Sequence, residues 1–197
     1  MDDRVKIISE ELLSRDWGTL KKTVFDLKRR DGTWQRQSRE TYDRGNAAAI
    51  LLYCAEHDTV ILTRQFRFPV FVGGHNAWLI EVCAGLLDGD DPETCARREA
   101  EEETGHRVEV IRHAFDTETS PGSVIERLSC YIGTYDADSR ISDGGGLEHE
   151  GEDIEVLEIG FRAALAMIDT GEIVDAKTIM LLQYLALHPE VIAPANP

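Results

Sequence analysis

The stretch Gly85–Gly105 reads GLLDGDDPETCARREAEEETG. An apolar run, Trp78 to Ala84, comes just before it and predicts a buried strand. Pro92 then opens a helix, because its missing N–H costs nothing at the first helical position. The helix runs through Glu103 and stops at Gly105, a residue free to take the left-handed conformation that ends helices. Five glutamates crowd it: Glu93, Glu99, Glu101, Glu102 and Glu103. Glu99 and Glu103 are four residues apart and Glu99 and Glu102 three, so these three share a face. Arg98 lies four before Glu102 and can orient that carboxylate. Glu101 points elsewhere.

Carboxylates so spaced lie about 5–6 Å apart. They repel by under about 1 kcal/mol in water, and by about 3 kcal/mol at an effective dielectric of about 20. Such a cluster is tolerable on an open face or around a cation. Oxygen-rich carboxylate sites suit Mg²⁺ or Mn²⁺. A solvated acidic face is the plainer reading for an arbitrary acidic helix. Here a glycine-bearing turn follows a buried strand and sets the Ala84, Gly85 and Leu86 backbone beside the acids, which favours a site.

Outward from this centre, Ala47–Cys54 is a continuous apolar run and Thr59–Gln65 returns it as a second strand. Phe66–Asn76 reads as a loop. Val108–Ala114, Val124–Tyr135 and Ile154–Ile159 read as strands, with a long polar loop over Asp136–Asp153. Helices are expected over Phe161–Thr170, ended by Gly171, and over Asp175–Leu187, with Asp175 as N-cap. Residues 1–43 form a separate β subdomain. Within it Val5–Leu13 is extended or mixed, and Thr19–Lys28 and Thr33–Tyr42 are strands joined through Asp31-Gly32. That piece looks two-sided and needs a partner surface. Residues 44–197 form the main domain. The fold class is a mixed α/β sandwich, not a doubly wound parallel sheet.

The chain has 197 residues and a formal net charge of −16. That charge argues against nucleic acid and anionic membrane as partners. Residues Met1 to Glu10 are charged and lack an apolar signal core. No run reaches membrane-spanning length. Cys54, Cys83, Cys95 and Cys130 form no C-x-x-C pair and read as reduced core thiols of a cytoplasmic protein.

The helix resembles the Nudix box, G-x5-E-x7-R-E-U-x-E-E-x-G-U. Arg98–Gly105 matches its second half, with Ala100 at an aliphatic position. In the first half the turn is one residue shorter, Asp90 falls on the first Glu, and His106 replaces the last aliphatic. Arg64-Gln65-Phe66-Arg67 and Ser120-Pro121-Gly122 with Glu126 resemble the nucleotide-sugar and ADP-ribose branch of that family. From the Trp17 region to Lys177 the chain is similar to members of that branch acting on GDP-mannose. Arg39-Glu40, Tyr42–Asn46, Gly144–Gly146, Glu152–Val156 and Gly171–Ile173 carry that likeness.

The resemblance implies an α/β/α sandwich with a mixed sheet and an Mg²⁺- or Mn²⁺-dependent hydrolysis of a nucleoside-diphosphate sugar. It implies metal ligands at Ala84, Glu99, Glu103 and Glu152, and catalytic acids at Glu102, Glu103 and Glu152. Substrate contacts fall on Trp17, Ser38, Arg39, Glu40, Arg67, Ala84, Gly85, Leu86, Glu103, Glu126, Gly151, Glu152 and Lys177. It also implies a homodimer through residues 1–43. The plainer reading of Trp17 is a core or interface aromatic, of Arg67 and Lys177 surface ion pairs, and of Glu152 a solvated loop acid. ADP-ribose hydrolysis, a non-catalytic nucleotide sensor and a structural acidic dimer are the alternatives.

Overall fold

A computed structural model describes residues 3–192. The outermost ends of the two expected domains, residues 1–2 and 193–197, lie outside the described residues, and with them the start of the charged segment 1–10. The chain divides into two compact units, Met1–Asn46 with Thr117–Leu128, and Ala47–Asp116 with Ser129–Pro197.

The first unit is a four-stranded sheet in the order β1 (Val5–Arg15), β2 (Thr19–Lys28), β3 (Trp34–Asp43), β9 (Val124–Ile125). β1, β2 and β3 pair antiparallel, and β3 pairs β9 in parallel, so the sheet is mixed. Val5–Leu13, expected as a short extended or mixed segment, belongs to a strand of 11 residues whose pairing with β2 shifts register between Ile7 and Ser9 and between Leu12 and Ser14. All of β1 is exposed, including Ile7, Ile8, Leu12 and Leu13, and it forms the sheet's edge. Residues 117–128 join this unit instead of the larger one, because the Ser120–Gly122 turn delivers β9 onto β3.

The second unit holds a seven-stranded sheet. Its path is β11 (Glu155–Gly160), β5 (Thr59–Phe66), β4 (Ala47–Cys54), β10 (Arg127–Thr134), β8 (Ile111–Glu118). Two short strands join off that path: β6 (Trp78–Glu81) pairs β5 and β7 (Cys83–Leu86) pairs β4. The fully apolar β4 is buried at every position but Tyr53. Ala48, Ile50, Leu52 and Cys54 of β4 meet Ile61, Cys83, Tyr131 and the small residues Cys95, Ala96 and Ala100 of α2 (Pro92–Thr104). Those small side chains let α2 lie close on the sheet. α3 (Phe161–Thr170) and α4 (Ala176–Leu187) complete the unit, and Leu181, Leu182 and Leu185 of α4 are buried. All four cysteines are free and buried.

Element boundaries moved where a side chain claims a backbone group. The run Trp78–Ala84 splits at Val82, whose N–H donates to the Thr178 hydroxyl at 2.9 Å. The run Val124–Tyr135 splits at Glu126, and the next N–H, of Arg127, donates to Asn46 Oδ1 at 3.0 Å. The strand expected from Val108 begins at Ile111, because Arg97 takes the Val108 carbonyl and the Arg107 N–H donates to Ser139. The Phe66–Asn76 loop contains a short helix, α1 (Phe68–Val72), with proline in its first turn.

Candidate functional site

α2 positions the acids. Asp91 caps it, accepting from the Glu93 and Thr94 N–H groups at 3.2 and 3.1 Å, and Pro92 follows. Gly105 ends it at φ 73°. The buried residues of α2 are Cys95, Ala96, Glu99, Ala100, Glu103 and Thr104. Glu99 and Glu103 therefore sit on the buried stripe, not on a solvated face. Glu103 is 1% exposed, and its Oε2 has no hydrogen-bond partner. Burial pushes the Glu103 carboxyl well above the usual carboxylate range, Glu99 and Glu152 push it further, and Arg67 and Lys177 pull it back. Burial also raises Glu99 to about 7, against Arg98 and with help from Glu102 and Glu152.

The turn before α2 is built for close approach. Leu87–Asp90 closes with a 2.8 Å bond from the Asp90 N–H to the Leu87 carbonyl, with positive φ at Asp88 and Gly89. A Cβ at Gly85 would land on the Glu99 carboxylate, so any other residue there would push that acid aside. β7 sets Ala84, Gly85 and Leu86 opposite Ala49, Ala48 and Ala47 of β4. Arg98 holds the assembly together. Its guanidinium reaches the Leu86 carbonyl at 3.2 Å, Glu99 at 2.8 Å, Glu102 at 3.3 Å and Asp90 at 3.3 Å. Asp90 thus binds the helix arginine. Glu101 points away and meets Arg107 at 3.4 Å. Ala100 is fully buried in the core, and His106 is buried edge-on to Tyr135. Both departures from the box are core packing.

The polar loop folds onto the C-terminal end of α2. Gly145 N–H donates to the Glu103 carbonyl at 2.9 Å, and Gly146 N–H to the Glu102 carbonyl at 3.1 Å. Gly144, Gly145 and Gly146 all have positive φ, and a Cβ at Gly144 would come within 2.6 Å of the Glu103 carbonyl oxygen. A Cβ at Gly146 would come within 2.5 Å of Glu152 Oε2. Glu152 is half-buried, and its Oε2 accepts from the Leu147 N–H at 2.9 Å. Gly151, also at positive φ, is exposed.

Arg67 and Lys177 are not the surface ion pairs of the plainer reading. Both bind Glu81, which is 2% exposed. Sequence reasoning passed over Glu81. Its signal was there: it is the one charged residue in Ala77–Leu87, and a lone acid in an apolar run needs a partner.

In the first unit, Ser38, Arg39 and Glu40 lie exposed on β3, and Arg39 donates to the Ser38 carbonyl and to Gln37. Trp17 is 77% exposed, with Arg44 over its ring at 5.7 Å. Its exposure leaves a core role out. Glu126 accepts from the Thr119 hydroxyl.

A hard divalent cation fits the second unit's donors. Two buried carboxylates lie side by side, one with an oxygen that nothing satisfies, next to Gly85, whose missing side chain leaves room for Glu99. Among the described residues, no three acid, His or Cys side chains close to ligating distance. Glu152 is turned to the Leu147 N–H, and Glu102 to Arg98. No helix among the described residues is long and apolar enough to cross a membrane.

Two family models match the chain. One is described as a NUDIX domain and covers residues 43–159; the other is the GDP-mannose pyrophosphatase NudK N-terminal domain, over residues 4–42. A GDP-mannose pyrophosphatase of Pectobacterium atrosepticum is 52% identical over 95% of this chain and 97% of its own. Proteins of the same description from Escherichia coli O157:H7 and Yersinia pestis are 49% and 48% identical, over 95% and 98% of this chain and 97% and 98% of their own. A crystal structure of an ADP compounds hydrolase superposes with a TM-score of 0.70 at 18% identity, covering 95% of each chain, and so shares the fold.

Proposed function

The chain belongs to the Nudix family, and from that premise we propose that it hydrolyses GDP-mannose to GMP and mannose 1-phosphate. The observation that carries this reading is Glu103: a buried acid with an unsatisfied oxygen, beside a second acid and within the field of Arg67 and Lys177. Such an arrangement destabilises an empty carboxylate pair and favours one that shares a cation.

Nudix hydrolases generally use divalent metal ions. Mg²⁺, or Mn²⁺ in its place, is the proposed cofactor here, held by Glu99, Glu103, Glu152 and the Ala84 carbonyl. A divalent ion there supplies charge neutralisation for a diphosphate and a more acidic water. Glu152 is the proposed base, taking a proton from the attacking water once it leaves the Leu147 N–H. Glu102 and Glu103 complete the acidic group, with Arg98 orienting Glu102. Arg67 and Lys177 bind phosphate oxygens, which offsets the −16 charge locally. The Gly85 and Leu86 backbone and Gly151 line the approach. Trp17, Ser38, Arg39, Glu40 and Glu126 are proposed nucleotide or sugar contacts on the family resemblance alone.

A panel of GDP-mannose, ADP-ribose and other nucleotide sugars with Mg²⁺, its products separated by chromatography, tests this. Fastest turnover is expected on GDP-mannose. Faster release of AMP from ADP-ribose would reassign the substrate.

We also propose a homodimer through the first unit, in the cytoplasm. An edge strand of 11 exposed residues, five of them apolar, invites pairing unless a partner covers it. The double change Ile7→Lys, Leu12→Lys is expected to reduce the particle to one chain in sedimentation. An unchanged mass in that variant would remove β1 from the interface.

A further inference from the structure

Glu81 ends β6, in a run otherwise without charge. Its carboxylate accepts from Arg67 Nε at 3.1 and 3.2 Å and from Arg67 Nη2 at 2.6 Å. The same Oε2 accepts from Lys177 Nζ at 2.9 Å. Lys177 is anchored again by Asp175 at 3.1 Å. Asp175 is the N-cap of α4, and its Oδ2 accepts from the Thr178 N–H and hydroxyl at 3.0 and 2.6 Å. Thr178 in turn takes the Val82 N–H, next to Glu81 in the chain. A closed polar circuit thus joins the end of β6, Arg67 and the start of α4.

The donor count leaves capacity over. A lysine ammonium has three N–H donors, and Glu81 and Asp175 engage two. Arg67 meets Glu81 through Nε and Nη2, so Nη1 takes no part in the pair. Burial alone would raise the Glu81 carboxyl, but Lys177 first and Arg67 next hold it at about 2, so it is charged at any working pH. Glu81 thereby lets two cations stand side by side that would otherwise repel. Both cations pull the Glu103 carboxyl down, so their charge is felt on the acidic helix.

We propose that Glu81 is a positioning residue that clamps Arg67 and Lys177 into one paired phosphate-binding unit. It touches no substrate itself. The proposal rests on the reading in which those two cations bind the diphosphate. If Glu81 acts through these two cations, its loss costs less once Arg67 is gone and only Lys177 is left for it to hold.

A double-mutant cycle of Glu81→Gln and Arg67→Ala tests this, read as kcat/KM on GDP-mannose. Glu81→Gln alone is expected to lower kcat/KM by about 10- to 100-fold, the scale for partners that orient a ligand. In the Arg67→Ala background it should cost at least about threefold less than in the parent, the remainder being its hold on Lys177. Costs that multiply, or a single variant within about twofold of the parent, would overturn the proposal. If Glu81→Gln does not fold, Glu81→Asp keeps the charge and is expected to restore the coupling to Arg67; independent effects there would also overturn it. If the parent protein does not hydrolyse GDP-mannose, the functional reading fails on its own. The same cycle on imidodiphosphate binding, followed by calorimetry, then decides the positioning role, and additive losses there sink it.

Discussion

Glu103→Gln is expected to cut nucleotide-sugar turnover by more than about 100-fold, the upper scale for residues that only orient a metal's ligands. The fold should survive. Glu103 is 1% exposed and its Oε2 meets no donor, so burying the charge costs the folded chain more than Arg67 and Lys177 return. Glutamine keeps the shape and removes the electrostatic load that Glu99 and Glu152 place on this position. Melting temperature separates the two roles. Magnesium should raise it in the parent, by an amount equivalent to about 2.7 kcal/mol at a hundred times the dissociation constant. The variant should melt at or above the metal-free parent and respond little to magnesium. Near-normal turnover in Glu103→Gln would take the helix out of the mechanism.

Apparent magnesium affinity is expected to rise by more than about tenfold between about pH 5.5 and about pH 7.5, because ligating carboxyls must first lose their protons. Glu99 sits at about 7 and Glu103 is raised well above the usual carboxylate range, both first by burial. A carboxyl raised in the folded state adds stability that is full below its unfolded value and lost as pH climbs through the folded one. The metal-free protein should therefore melt at lower temperature at about pH 8 than at about pH 5.5. Magnesium should shrink or reverse that trend, since it favours the deprotonated form. Glu81 works the other way, with its contribution present above its unfolded value and lost only as pH falls through about 2, so it stays silent in this window. Titration calorimetry at several pH values measures the affinity. A flat profile would mean that Glu99 and Glu103 are not the ligands.

Much of the second unit could be read from the chain because its signals are local. Pro92 and Gly105 mark the ends of α2, Asp175 caps α4, and the apolar run at Ala47–Cys54 is a strand within those bounds. The i,i+4 spacing placed Glu99 and Glu103 together. It could not say that their face is the buried one, because that depends on Cys95, Ala96 and Ala100 being small enough for the helix to settle on the sheet. The Glu81 clamp was out of reach for the same kind of reason: Lys177 comes 96 residues after it. The break at Glu126 hangs on Asn46, 81 residues before Arg127. Side chains that reach across the sheet leave no periodicity behind. Residues 117–128 leave no local signal either, since a two-residue strand such as β9 has no pattern to detect.

The three consecutive glycines of the polar loop have a dynamic consequence. Two of their amides are tied to the last carbonyls of α2, and a side chain at the first or third would strike the helix end or Glu152. The base of the acid-bearing segment therefore travels with the helix as one body, and any swing must pivot further out, near Gly151. The spacing between the loop acid's anchor and the helical acids is set when the chain folds, before a ligand arrives.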